Sequence, residues 1–163
     1  MGISFTCGNK NEAISIMQEA AHWLVDIGQP MWDDEDLSFE KLNNPSDEFW
    51  VMWEDKNSVA SMILSYEDKF FWPDIAPDTS GFIHKLSIRR DYASKGYAKM
   101  LVEHARTLCA NRNIEYLRLD CDHHRKGLLN FYKTCGFALV EVKVLNTKKW
   151  GKIELAMFEI ACQ

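Results

Sequence analysis

The sequence predicts a single mixed α/β domain over residues 1–163, with a central sheet and flanking helices. Three observations lead there. The second half alternates strand-like and helix-like segments, an order that calls for parallel strands joined by a crossover. The first half and the C-terminal end each carry two apolar runs separated by a short polar turn, the pattern of antiparallel hairpins. The length of 163 residues, 47% of them hydrophobic and 26% charged, suffices for one substantial core in a soluble globular protein.

Taken in order, "ISFTCG" (3–8) has strand composition and leads to Asn11, a residue type that caps helices. From Glu12 to Ile27 the apolar residues Ile16, Ala20, Trp23, Leu24 and Ile27 recur at helical spacing, and Gly28 stops the helix. "QPMWDDEDLSFEKLN" reads as a proline turn followed by a short helix with an acidic first turn, as the helix dipole favours. "EFWVMWED" and "SVASMILSYE" are strands separated by the turn "KN", and "FWPDIAPDTSG" is a loop. Then come the strand "FIHKLSIRR", the helix "SKGYAKMLVEHARTLCANR", the strand "IEYLRLDC" and the helix "RKGLLNFYKTCG", ended by Gly136. "FALVEVKVL" and "IELAMFEIA" close the chain as strands joined antiparallel through "NTKKWGK". No internal repeat or linker is visible.

Composition narrows the function. A net charge of −5 and a pI of about 5.5 argue against nucleic-acid binding, which needs a cationic surface, and mildly favour a cationic substrate. No apolar run approaches the roughly 20 residues of a membrane span. The first residues lack a basic region followed by an apolar run, so secretion is not expected. "MGISFT" fits the loose N-myristoylation pattern, yet Ile3 and Phe5 also read as a strand and no polybasic signal follows. The five cysteines, Cys7, Cys109, Cys121, Cys135 and Cys162, contain no Cys-x-x-Cys pair. They are expected to be reduced, largely buried thiols of a cytoplasmic protein, with no zinc site.

Chemistry enters at "IRRDYASKGYAKMLVEHAR" (88–106), where a strand turns through Ser-Lys-Gly into a helix. The first turn of a helix has backbone N–H groups without intrahelical partners and carries partial positive charge. A glycine there removes the Cβ that would hold an anion away, so Gly96 fits a phosphate cradle. It also fits a plain connecting loop. The segment is neither a P-loop nor a three-glycine dinucleotide fingerprint.

Together "ASKGYA" (93–98), "YLRLDC" (116–121) and "FYKTCGF" (131–137) form a pattern that resembles the GNAT superfamily of acetyl-CoA-dependent N-acetyltransferases. There a strand is followed by Q/R-x-x-G-x-G/A and a helix, and a later helix carries a tyrosine shortly before Gly-Phe. With the preceding helix and hairpin, the resemblance covers nearly the whole chain. It implies an acyl-CoA N-acyltransferase fold: a mixed, mostly antiparallel sheet in which parallel strands 82–88 and 115–121 splay apart. It implies acetyl-CoA as cosubstrate, its pyrophosphate held by Ser94, Lys95, Gly96, Tyr97, Ala98 and Lys99. Two positions depart from the pattern. Ala93 stands where the family usually has Arg or Gln, so the backbone and Lys95 or Lys99 must supply that contact. Arg125 stands where an asparagine often precedes the closing helix, and its cation could reach a phosphate or a cofactor carbonyl.

The resemblance also implies a mechanism. Strand 82–88 pairs through its backbone with the pantetheine arm, and an N–H among Leu86, Ser87 and Ile88 polarises the thioester carbonyl. Tyr132 matches the tyrosine that protonates the departing thiolate, a role suited to a phenol with an ordinary pKa near 10. Its structural alternative is a tyrosine packed on the sheet. For the base that takes the amine's proton, His84 comes first, sharing a strand face with Leu86 and Ile88, although a satisfied structural histidine is the commoner occupant of such a position. His123 and His124 follow a strand end, but no ligand spacing suggests a metal. Trp32, beside the acidic run "DDED", and Trp72 are candidates to contact the acceptor, or else core anchors. The expected reaction is acetyl transfer to a small-molecule primary amine by direct attack in a ternary complex. A protein N-terminal or lysine acetyltransferase and a non-catalytic acyl-CoA-binding module are the rivals, and a homodimer is left open.

Overall fold

The computed structural model describes residues 2–163. The chain runs β1 (Ile3–Cys7), α1 (Lys10–Asp26), α2 (Phe39–Leu42), β2 (Glu48–Glu54), β3 (Asn57–Ser65) and β4 (Ser80–Ile88). It continues with a 3-10 turn at Arg90–Tyr92, then α3 (Tyr97–Asn111), β5 (Tyr116–Asp122), α4 (Lys126–Thr134), β6 (Ala138–Thr147) and β7 (Gly151–Ala161). The strands pair in the order β1-β2-β3-β4-β5-β7-β6. The β4–β5 pair runs parallel, whereas β1–β2, β2–β3, β5–β7 and β6–β7 are antiparallel. This is the mixed α/β fold anticipated. The chain falls into two compact units, one of residues 1–65 and 83–104, the other of 66–82 and 105–163, so the division passes through β4 and α3.

In the first unit α1 lies against the β2–β3 hairpin. Its buried residues are Ala13, Ile14, Ile16, Met17 and Ala21, packed with Leu37, Phe49, Val51 and Ile63. Each fully buried aliphatic side chain contributes about 1.5–3 kcal/mol. The sequence reading placed the apolar stripe too far along: Trp23 and Leu24 are half-buried and Ile27 is exposed. It also chose the wrong cap. The helix begins at Lys10, and the Asn9 side chain accepts from the Glu12 N–H at 3.2 Å. The acidic run is a turn rather than a helix start, because Asp33 and Asp36 cap each other's backbone N–H groups (2.8 and 3.1 Å) and Ser38 then caps α2. The hairpin turn lies one residue early, at Asp55 and Lys56, with Asp55 in the left-handed region (φ 54°).

In the second unit β4 pairs with β5 over three residues, Ser80–Phe82 against Tyr116–Arg118. β7 lies between β5 and β6. Trp72, Phe82, Leu155 and Met157 form an apolar cluster, with Phe71, Ile75, Leu145 and Ile153 around it. The end of α4 is set by Gly136 (φ 101°): its N–H donates to Lys133 O and the Phe137 N–H to Tyr132 O, both at 3.0 Å. This double closure needs a left-handed residue. A Cβ on Gly136 would also stand 3.1 Å from Ile160 Cδ1, a tight contact that the Ile160 side chain would have to relieve.

Cys109, Cys135 and Cys162 are buried; Cys121 is half-buried and Cys7 exposed, so the expectation of buried thiols holds for three of the five. Among the described residues no helix is long and apolar enough to cross a membrane.

Candidate active site

The residues singled out in the sequence divide between the two units. The first holds Trp32, the later part of β4 with His84, Leu86, Ser87 and Ile88, and the turn from Ser94 to Lys99. The second holds Trp72, Arg125 and Tyr132.

β4 is interrupted at Lys85, a non-glycine residue with φ 56°. Such a kink re-aims neighbouring backbone groups out of the regular ladder, and a left-handed non-glycine residue persists only where its surroundings hold it. Here the Ser87 hydroxyl donates to Lys85 O at 3.0 Å, and the Lys85 ammonium lies 4.9 Å from the centre of the Trp32 ring. Trp32 is half-buried against the α1 cluster with this cation over its ring. His84 Nε2 is 2.9 Å from the hydroxyl of buried Ser65, so its imidazole is fixed in orientation.

After β4 the chain is anchored before it turns. Arg89 donates to Glu12 (3.1 Å), Glu19 (3.0 Å) and Ser58 O (3.0 Å), while its N–H donates to Val59 O at 2.8 Å. The Arg90 N–H donates to Glu19 at 2.9 Å, and its guanidinium lies 4.2 Å from the Trp23 ring centre. Beyond this clamp Ser94 (φ 67°) and Gly96 (φ 80°) both take left-handed conformations. Alternation of this kind curls successive N–H groups toward one side and makes an anion-binding concavity. Gly96 O accepts the Met100 N–H at 3.2 Å, so Gly96 is the residue from which α3 starts. A Cβ on Gly96 would meet nothing within 4 Å, leaving open space over the first-turn amides. Lys95 lies 5.3 Å from the Tyr92 ring centre, and Lys99 is exposed. Tyr97 points inward, its hydroxyl donating to Glu54, so only its backbone is available to a ligand.

In the second unit Tyr132 is 7% exposed, its ring packed by Phe131, Phe137 and Phe158 at centroid distances of 5.1, 5.7 and 5.9 Å. Burial pushes its phenol well above the usual range, with Cys121, Cys135 and Asp120 adding to the shift. The hydroxyl therefore stays protonated across the physiological range and is a weaker acid than an ordinary phenol. Burial, then Asp120 and Asp122, push the Cys121 thiol up to about 12, which keeps it neutral and a poor nucleophile. Arg125 occupies the N-cap position of α4 and reaches Asp122 at 3.8 Å. His124 lies 3.4 Å from Glu154, and among the described residues no cluster suited to a metal occurs. Trp72 is 7% exposed in the core, its indole N–H without a partner and the Arg118 guanidinium 5.2 Å from its ring centre. A cavity of about 470 Å³ in this unit, bordered by Arg106, Tyr116, Cys135 and Glu159, includes none of the anticipated residues.

Sequence reasoning missed Lys85 and the Arg89 clamp. A left-handed lysine inside a strand leaves no compositional mark. The clamp joins residues 70 and 77 positions apart.

Known proteins resemble this chain at three levels. Residues 17–137 match the model of the Acetyltransferase (GNAT) family. The uncharacterized N-acetyltransferase YesJ of Bacillus subtilis (strain 168) is 24% identical over 130 residues, covering 75% of this chain and 72% of its own. The crystal structure of the ribosomal-protein-S18-alanine N-acetyltransferase from Escherichia coli shares the fold at a TM-score of 0.72 and 13% identity, over 99% of this chain and 95% of that one. A mutant of the spermidine N-acetyltransferase SpeG from Vibrio cholerae does so at a TM-score of 0.67 and 14% identity, over 98% and 94%.

Proposed function

The chain belongs to the acetyltransferase (GNAT) family and is an acyltransferase, and from that premise we propose that it moves the acetyl group of acetyl-CoA to the primary amine of a small molecule. The observation that carries the cofactor half is the pair of left-handed residues, Ser94 and Gly96, at the opening of α3. Backbone N–H groups of Ser94 to Lys99 hold the pyrophosphate there, with charge from Lys95 and Lys99 in place of the side chain that Ala93 lacks. Arg125 is a further cation for a phosphate or a cofactor carbonyl. Residues 1–163 act as one catalytic domain in the cytoplasm.

The thioester supplies an activated acetyl group. In the ternary complex the amine nitrogen attacks the carbonyl carbon, forming the C–N bond as the C–S bond breaks. Charge developing on the carbonyl oxygen is met by a backbone N–H from Leu86, Ser87 or Ile88, past the kink at Lys85. His84, oriented by Ser65, accepts the proton that the amine loses. Tyr132 gives its proton to the leaving thiolate as the C–S bond breaks, a transfer that its raised pKa makes harder than it would be for an ordinary phenol. Trp32 borders the acceptor side as a packed wall under the Lys85 cation, whereas Trp72 is a core anchor.

A thiol-release screen with acetyl-CoA against small primary amines, polyamines and peptides tests this reading. Turnover with a small amine is expected. Turnover with peptides alone would make the chain a protein acetyltransferase. Cofactor binding without turnover on any amine would make it an acyl-CoA-binding module.

A further inference from the structure

β6 is an edge strand. In the second unit it pairs with β7, and among the described residues that is its one strand neighbour. The other edge of a ten-residue strand offers a row of backbone donors and acceptors, which proteins usually blunt with proline, short length, a bulge or charged side chains. β6 contains no proline. A bulge between Leu139 and Glu141 disturbs its start, and from Glu141 to Thr147 its register is regular. Leu139, Val140, Val142 and Val144 are 39%, 45%, 39% and 53% exposed, an apolar strip on a strand built for pairing.

The strand is also complementary to itself. Laid antiparallel on a second copy about Val142, Glu141 faces Lys143, Lys143 faces Glu141, and Val140 faces Val144. Centring on Val144 instead sets Glu141 against Thr147, and centring on Glu141 or Lys143 sets like charges together. The Val142 register therefore satisfies both charges, and opposite charges directly across an antiparallel pair stabilise it. Lys143 already donates to Phe71 O at 2.7 Å, which uses one of its three donors and leaves two. We propose that β6 is a homodimer interface, at which a second copy of this chain adds its own β6 antiparallel about Val142 and continues the sheet across a two-fold axis. This pairing does not depend on acetyl transfer.

Sedimentation velocity on the full chain, from about 1 to about 100 μM, tests it. The mass is expected to rise from the 18.9 kDa of one chain toward twice that value. Glu141→Lys puts like charges opposite at two symmetric places and should weaken the dimer roughly tenfold or more. Lys143→Glu should do the same, and an equimolar mixture of the two variants should dimerise again, because every cross-pair becomes opposite in sign. Thermal melting confirms that each variant is folded; should one fail to fold, Val142→Lys, which meets its own copy across the axis, takes its place. A wild-type monomer at about 100 μM, or a dimer that none of these variants weakens, would overturn the proposal. So would two folded variants that do not reassociate when mixed.

Discussion

Gly96 and Gly28 form a matched pair for testing the anion cradle. Gly96 has φ 80° and Gly28 φ 76°, and a Cβ on either would meet nothing within 4 Å. Alanine at each position therefore suffers the same backbone penalty with no steric clash, about 1–2 kcal/mol for a left-handed residue. For a chain of this size that corresponds to a fall in Tm of roughly 2–8 °C. The two variants should melt alike. They should differ in cofactor affinity, because position 96 lies in the proposed pyrophosphate cradle at the opening of α3, whereas Gly28 follows the end of α1. Isothermal titration with acetyl-CoA should show at least a tenfold loss for Gly96→Ala, about 1.4 kcal/mol, and wild-type affinity for Gly28→Ala. Equal affinities in the two variants would refute the reasoning and reduce Gly96 to a connector.

Tyr132→Phe keeps the ring packed against Phe137 and Phe158 and removes only the hydroxyl; kcat should fall by about 10²–10⁴ with KM for acetyl-CoA nearly unchanged, and wild-type turnover would deny Tyr132 the acid role. His84→Gln should lower kcat far more than it changes KM for acetyl-CoA, and wild-type turnover would leave His84 as a structural partner of Ser65. Alkaline stability follows from Cys121: the unfolded thiol ionises near 9.0 and the folded one near 12, so the folded chain holds more protons between those values. Stability present below about pH 9 should decline as pH rises through that window. Urea midpoints at about pH 8 and about pH 10.5 should show the decline, and Cys121→Ser should make it shallower.

What was legible in the sequence depended on which physical signal a residue leaves. Strands and helices after residue 80 were placed closely, because β5 alternates apolar and polar side chains, β7 carries a continuous apolar run and Gly136 marks the end of α4. Gly96 was visible because glycine tolerates the left-handed turn. Ser94 and Lys85 adopt the same region without being glycine, so their sequence is silent and the surroundings, Trp32 and Ser87 around Lys85, do the fixing. Asn9 and Asn11 are equally good caps by type, and the choice between them is made by where β1 ends, at Cys7. The acidic run misled because aspartate stabilises an isolated turn as well as a helix start: Asp33 and Asp36 satisfy each other's N–H groups and stop propagation. Trp72, in a proline-rich loop, could be read as an acceptor contact or a core anchor, and the loop packs it with Phe82 and Met157 in the core. Pairings such as Arg89 with Glu12 and Glu19 arise only after the strand and helix have met.

The central claim is catalysis of acetyl transfer to an amine. Its most direct measurement is the stoichiometry of one reaction: free thiol released from acetyl-CoA set against N-acetylated small amine detected by mass spectrometry. One acetylated amine for each thiol, at a rate that collapses in Tyr132→Phe, is the expected result. Thiol release without acetylated amine, or no release with any primary amine, would contradict it.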